Sequence, residues 1–553
     1  MLRKYNLLAV GFILAAVGCG GGEVATGGKK VKDASDHKSS TGQAISKQAV
    51  ESFDVALKSF VDADAKGQWS NDTCKEVAAA FKVASGKQES ASDARLAEAE
   101  YNAGLAFLRC GMEEQARGHF EKAVGTDPKF HRAKTQLALL EFQRSQNVET
   151  AISALEEIIR DSQFQSVEAL VALAALQMER GNDDSNSDGK DDLDRAKRNL
   201  QRALAIDDGY MPAFNQLAIY YLEQAKAKAD KDSKGPRKRR RKGLVVSGSS
   251  GAKVNEQMLD LAALVASQAV RKNPKYAAIH NTSGLIQVEL RNFNGAVKSF
   301  ATARSLDPDF FEAQMNYAAV NLSFRGFEES EKAYREAIRL KPKEFEAHLG
   351  LALAIRGQIN FSNKSKLLPL AEKSLAEAKT IAPDRAETYY NEAILTQEFK
   401  AKGIDDETKA IAAMENAIRQ YEDFVGKAGG DDAFAAAVKR SHDRIQDLKD
   451  TIKFLQDGAE ARKQAESMPP PPPPPPAAEG GDKAADGAAP ADGDKSKDAA
   501  SKDESKKDES KKDESKKDES KKDESKKDES KKDESKKDES KKDESKKDEP
   551  KKK

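Results

Sequence analysis

The stretch "NDDSNSDGKDDLDRA", residues 182–196, holds the densest set of possible ligand atoms in the chain. Asp184, Asn186 and Asp188 alternate, Gly189 follows, Lys190 offers a backbone carbonyl, and Asp192 stands in the ninth place. Oxygen donors at this spacing match the first nine positions of a calcium loop, which wraps a hard cation around a sharp glycine turn. The twelfth place, where a bidentate Glu is expected, is Arg195, with Asp194 beside it. The same residues equally suit an acidic, solvated loop between two helices. A calcium ion here would be structural, and no other cofactor is called for. Catalytic constellations are missing from the sequence. The six histidines, His37, His119, His131, His280, His348 and His442, form neither H-E-x-x-H nor a paired zinc spacing. No G-x-S-x-G elbow or Walker A loop occurs, and the "GSSGAK" at 248 has the wrong spacing for phosphate. The expectation is a binding protein and not an enzyme.

The first residues concern where such a protein is held. Arg3 and Lys4 precede a short apolar run, Leu7 to Val17, which is too short to span a bilayer comfortably. It ends in Ala16-Val17-Gly18-Cys19, which resembles the bacterial lipobox, with Ala16 where Leu is usual. This implies a signal peptide over 1–18 and a lipid on the Cys19 sulfur. Glycines 20, 21, 22, 27 and 28 then suit a flexible tether over 19–45. In an oxidising compartment Cys74 and Cys110 are left as a pair, on helices of consecutive units. They read as a disulfide or as two buried thiols acting as small hydrophobes.

An internal repeat sets the architecture. In residues 97–130, small residues fall at positions 8, 20 and 27 (Gly104, Ala116, Ala123), and rings at 11 and 24 (Phe107, Phe120), before Pro128 at 32. Residues 277–310 and 311–344 repeat the pattern without a gap, through Gly284, Ala296, Phe300, Ala303 and Pro308, then Ala318, Ser330, Tyr334, Ala337 and Pro342. Small side chains are needed where two helices approach closely, rings fill the space between units, and proline stops the second helix. The pattern is similar to the tetratricopeptide (TPR) family, a helix–turn–helix unit of about 34 residues. About seven units tile 97–385, with insertions at 182–192 and 226–257. A degenerate helical unit over 46–96 precedes them, and repeat-like and capping helices over 386–467 follow. The resulting expectation is an all-α TPR superhelix whose concave face binds other proteins.

Two segments stand outside this scheme. The second insertion carries "KGPRKRRRKG", suited to anionic lipid, an acidic partner, or simply a solvated loop. Residues 468–553 form a low-complexity tail expected to be disordered, with eight prolines from Pro469 to Pro476 and then "DESKK" repeats from Asp503 to Lys547. With 93 basic against 93 acidic residues, nothing in the net charge points to nucleic acid.

Within the repeats, Asn102, Asn316 and Asn391 share position 6 of the first helix, with Tyr101 and Asn281 one place earlier. They are candidate groups for gripping a peptide backbone on the inner face. Some TPR domains hold a partner's terminal carboxylate with Asn and Lys there, and that Lys pattern is missing. As a whole, the chain resembles the TPR lipoproteins of the adventurous gliding-motility machinery of myxobacteria and relatives. Lipobox, insertions and the phrases "ERGNDDSNSDGKDDL" and "QRALAIDDGYMPAFNQLA" carry the likeness. It implies an outer-membrane lipoprotein with a periplasmic body that holds envelope proteins together. A lipoprotein assisting assembly of a pilus secretin or of outer-membrane barrels is the alternative. The oligomeric state is left open.

Overall fold

Alanine and glycine at the close-approach positions draw the helices into pairs. The computed structural model describes residues 33–67, 69–181, 191–231 and 255–468. The first pair is α1 (Lys47–Lys66) and α2 (Asn71–Ser92). Then come α3 (Ala97–Arg109) with α4 (Glu113–Thr126), α5 (His131–Ser145) with α6 (Val148–Asp161), and α7 (Val167–Arg180) with α8 (Asp192–Ile206). The stack continues through α9 (Met211–Lys231) with α10 (Glu256–Lys272), and α11 (Ala277–Glu289) with α12 (Phe293–Leu306). Next are α13 (Phe311–Ser323) with α14 (Phe327–Leu340), and α15 (Phe345–Gln358) with α16 (Lys364–Ile381). The last helices are α17 (Ala386–Leu395), α18 (Glu407–Ala428) and α19 (Ala435–Ser467), with a π-turn over Thr396–Lys400 after α17.

Each sequence position has its expected physical job. A Cβ on Gly104 would lie 2.6 Å from the Phe120 ring, and one on Gly284 would lie 2.5 Å from Phe300. Ala116, Ala123, Ala296, Ala303, Ser330 and Ala337 are fully buried at positions 20 and 27. The position-27 alanine also ends the second helix. The backbone N–H of Asp127, Asp207, Asn273, Asp307, Lys341 and Ala382 returns to the carbonyl of Ala123, Ala203, Ala269, Ala303, Ala337 and Ala378 respectively. The fold is a TPR helix–turn–helix solenoid.

Position 4 supplies a staple that recurs in four successive units. Nε2 of His280 donates to the Pro274 carbonyl and Nε2 of His348 to that of Pro342, both at 2.8 Å. Gln314 donates to Pro308 and the Tyr389 hydroxyl to Pro383, both at 2.9 Å. Each bond satisfies a carbonyl in the turn that the proline has just broken.

One expectation needs correction. Residues 33–45 are not a plain tether. β1 (Ala34–Lys38) and β2 (Ala44–Ser46) pair antiparallel. Ile45 is buried against the first helices, Ser46 N–H donates to Gln88 at 2.8 Å, and Ser40 N–H donates to Glu98 at 2.5 Å. One apolar anchor and two side-chain acceptors suffice to order the strand pair. The inner face is also not uniformly open. The superhelix brings α1 round to the α12–α13 turn, where a Cβ on Gly67 would meet the Pro308 ring at 3.4 Å. Arg109 bonds Asp64 at 2.9 Å and acts electrostatically on Asp307. In this first turn α3 is buried from Ala97 to Phe107.

Candidate protein-binding face

The first helix of each pair lines the inside of the stack, and polar rungs join these helices laterally. Arg132 of α5 pairs with Glu168 of α7 at 2.8 Å. Thr282 of α11 donates to Asn215 of α9 at 2.7 Å, and Asn316 of α13 donates to Asn281 of α11 at 2.9 Å. Arg356 of α15 donates to Asn391 of α17 at 2.6 Å. These bonds fix the spacing of the inner helices.

The proposed peptide-gripping residues therefore have internal partners. Tyr101 lies between Phe120 and Phe130, with ring centroids at 5.6 and 5.4 Å, and burial pushes its hydroxyl pKa well up. Asn102 is fully buried and donates to the Glu98 carbonyl at 2.8 Å. Asn281 and Asn316 hold each other, while Asn391 donates to the Glu387 carbonyl at 2.7 Å and accepts from Arg356. At position 6, Asn316 and Asn391 bond the neighbouring inner helix, while Asn102 bonds a carbonyl of its own helix.

Cys74 and Cys110 are joined as a disulfide, with Cα atoms 6.5 Å apart. The bond ties α2 to the turn after α3, beside Trp69, whose indole N–H donates to Asp64 at 2.9 Å. Cys19 and the calcium-loop residues Asp184, Asn186, Asp188 and Lys190 lie outside the described residues. Asp192 opens α8 with a fully buried carboxylate that takes two bonds from Arg180, both at 2.7 Å, and a third from Arg195 at 3.3 Å. Among the described residues no group of three or more His, Cys, Asp and Glu is placed to hold a metal ion. Nor is any described helix long and apolar enough to cross a membrane.

Inspection of the sequence misses a cluster at the far end of the inner face. The π-turn puts Gln397 and Glu398 beside Arg444 of α19, whose Nη1 donates to them at 2.6 and 3.0 Å. The Tyr421 hydroxyl of α18 donates to the same Gln397 oxygen at 2.7 Å. Arg356 lies within electrostatic range of Arg444, Tyr390 and Tyr421, and burial pushes its pKa down. Single π-turns inside α-helices recur at functional sites. Arg356 and Arg444 are 88 residues apart, so only the turns around α18 bring them together.

No protein-family model matches the chain, and no curated protein matches it. Several solved structures do. A thermophilic TPR protein of Thermus thermophilus is 21% identical, covering 41% of this chain and 99% of its own, with a TM-score of 0.31. YrrB, a TPR protein with an unusual peptide-binding site, is 14% identical over 44% of this chain and 98% of its own, at 0.28. PilF of Pseudomonas aeruginosa is 16% identical over 47% and 97%, at 0.31. Likenesses this distant carry no functional argument.

Proposed function

We propose that the chain is a non-enzymatic scaffold, held to the outer membrane by lipid on Cys19, that gathers other envelope proteins along its inner face. A gliding-motility or trans-envelope complex is the assembly it serves. One observation carries the binding role: the inner helices of a rigid, internally bonded stack end in a polar cluster that is still accessible, with Arg444 about a third exposed. A fold of this kind offers an extended surface to protein ligands and needs no chemistry of its own. The lipobox and Gly-rich stretch support the anchor, and the phrases shared with motility lipoproteins support the choice of complex.

Affinity capture from detergent-solubilised envelopes, with Cys19→Ala as the control, tests this reading. Motility or trans-envelope components should co-purify with the native chain and be lost with the control. Recovery of a secretin or of barrel-assembly proteins would replace the complex named here with the assembly role. Identical partners with and without Cys19 would remove the lipid anchor from the argument.

A further inference from the structure

The turns that join the two helices of each pair form one edge of the stack, and three successive units expose large apolar side chains there. Phe293, Phe327 and Phe361 all hold position 17, while Leu290 and Phe324 hold position 14. Leu290 is 45% exposed, Phe324 53%, and Phe361 completely. Phe324 lies against Phe293 of the unit before, with ring centroids 4.6 Å apart, and Phe327 packs over Gly357 of the unit after. The rings therefore run on from unit to unit. Phe361 stands on a firmly bonded turn. Asn360 N–H donates to the Asn363 side chain at 2.8 Å, the Asn363 amide to the Gln358 carbonyl at 3.0 Å, and Lys364 N–H to the Asn360 carbonyl at 3.0 Å. Contiguous apolar side chains held out in water mark a contact surface.

Position 15, between these apolar residues, gives an independent sign. Its backbone is left-handed in two earlier units, with φ of 66° at Gly111 and 56° at Gly181, and glycine takes that conformation without strain. Two of the units with exposed rings carry arginine there instead, Arg291 at 58° and Arg325 at 63°. A cation held strained where glycine would be easier is a sign of function and not of folding. Neither arginine, nor exposed Lys366 in the first turn of α16, forms an ion pair among the described residues. The nearby acids are mostly paired, Glu289 with Lys226 at 3.7 Å and Glu329 with Lys332 at 2.7 Å. Against the three cations stands Glu328, so the edge is net positive.

We propose that this aromatic and basic edge lies on an anionic lipid surface, with the Phe324 and Phe361 rings sunk among the acyl chains and Arg291, Arg325 and Lys366 level with the phosphates. This rests on the membrane-held reading and adds a second contact, which lays the stack along a bilayer that the Cys19 lipid would only tether. Rings beside cationic heads match the two layers of a membrane interface. Side chains that protrude from turns can sink into a fluid bilayer, whereas a protein partner would need a pocket for each.

The test uses the mature chain from residue 19 with Cys19→Ser, so that no acyl group contributes. It is sedimented with vesicles of phosphatidylcholine, or of an equimolar mixture with phosphatidylglycerol. Binding should favour the mixed vesicles at least about ten-fold. Phe324→Ser with Phe361→Ser should weaken it at least about ten-fold, through the lost burial of two rings. Arg291→Gly with Arg325→Gly should weaken it about five-fold per arginine. This second pair relieves the left-handed strain, so its thermal midpoint should hold or rise, which separates lost binding from unfolding. Equal binding to both vesicles, binding to neither, or binding that survives either pair of substitutions overturns the proposal. Dimerisation that Phe324→Ser with Phe361→Ser abolishes, without vesicle binding, would give the edge to a second copy of the chain and overturn it too. Envelope capture separates the two readings. A chain that captures partners but binds no vesicles leaves the scaffold standing without this contact. One that binds vesicles through the edge but captures no partner keeps the contact and sinks the scaffold.

Discussion

Gly284 shows how tightly one residue can be specified. Alanine is favoured over glycine inside a helix by about 1 kcal/mol. Yet a Cβ at this position would sit 2.5 Å from the Phe300 ring. Overpacking of this kind costs about 1–3 kcal/mol, so the clash outweighs the propensity gain. Gly284→Ala should therefore lower stability in denaturant unfolding, and adding Phe300→Leu should recover part of the loss. Glu98 makes a different case, because burial raises its pKa above the ordinary 4.5 while one carboxylate oxygen finds no hydrogen-bond partner among the described residues. A raised folded pKa favours the neutral acid. Its contribution is present below about pH 4.5 and is lost as pH rises through the folded value. Glu98→Gln should flatten that slope, read as unfolding midpoints between pH 4 and pH 8 of about equal spacing.

Between elements, the rungs and the disulfide carry the specificity. Thr282 and Asn215 are both about 2% exposed and bond each other across α9 and α11. Thr282→Val keeps the shape and leaves the Asn215 oxygen without its donor, which should cost about 1–3 kcal/mol in unfolding experiments. The Cys74–Cys110 bond closes a separation of 36 residues. On the chain-entropy account, removing it by Cys110→Ser should cost about 3–4 kcal/mol, seen as a lower thermal midpoint that added reductant no longer changes.

At the scale of the whole molecule, the winding of the repeats decides which part of the inner face can bind. In the first turn the face is closed by α3 and by the approach of Gly67 to Pro308. Arg109, bonded to Asp64 and acting on Asp307, lies where the turn closes. Arg109→Glu sets like charges against both. It should cost about 1.5–3 kcal/mol, the range for a hydrogen bond to a charged group, and raise the radius of gyration in small-angle scattering. A variant that unfolds more easily without expanding would mean that Arg109 stabilises its own helices and not the closure.

The order of helices was legible because the repeat is local. Gly104, Ala116, Phe120, Ala123 and Pro128 each act within one 34-residue period, on a partner a turn or two away. The pairing of Cys74 with Cys110 could be stated only as one of two readings, since spacing does not show whether two helices turn their sulfurs together. The strand pair at Ala34–Ser46 was hidden because three contacts with the first helices, and no strand periodicity, hold it in place. Asn102 and Asn391 were visible as a pattern, but only the packing shows that Asn391 takes a bond from the neighbouring helix while Asn102 bonds within its own. Sequence alone therefore determined the repeat, its close-packed positions and its stops, because those depend on neighbours along the chain. Only the tertiary structure decided that the first turn closes and that Arg356 comes within electrostatic range of Arg444. Those outcomes depend on small rotations summed over many repeats, which no single period encodes.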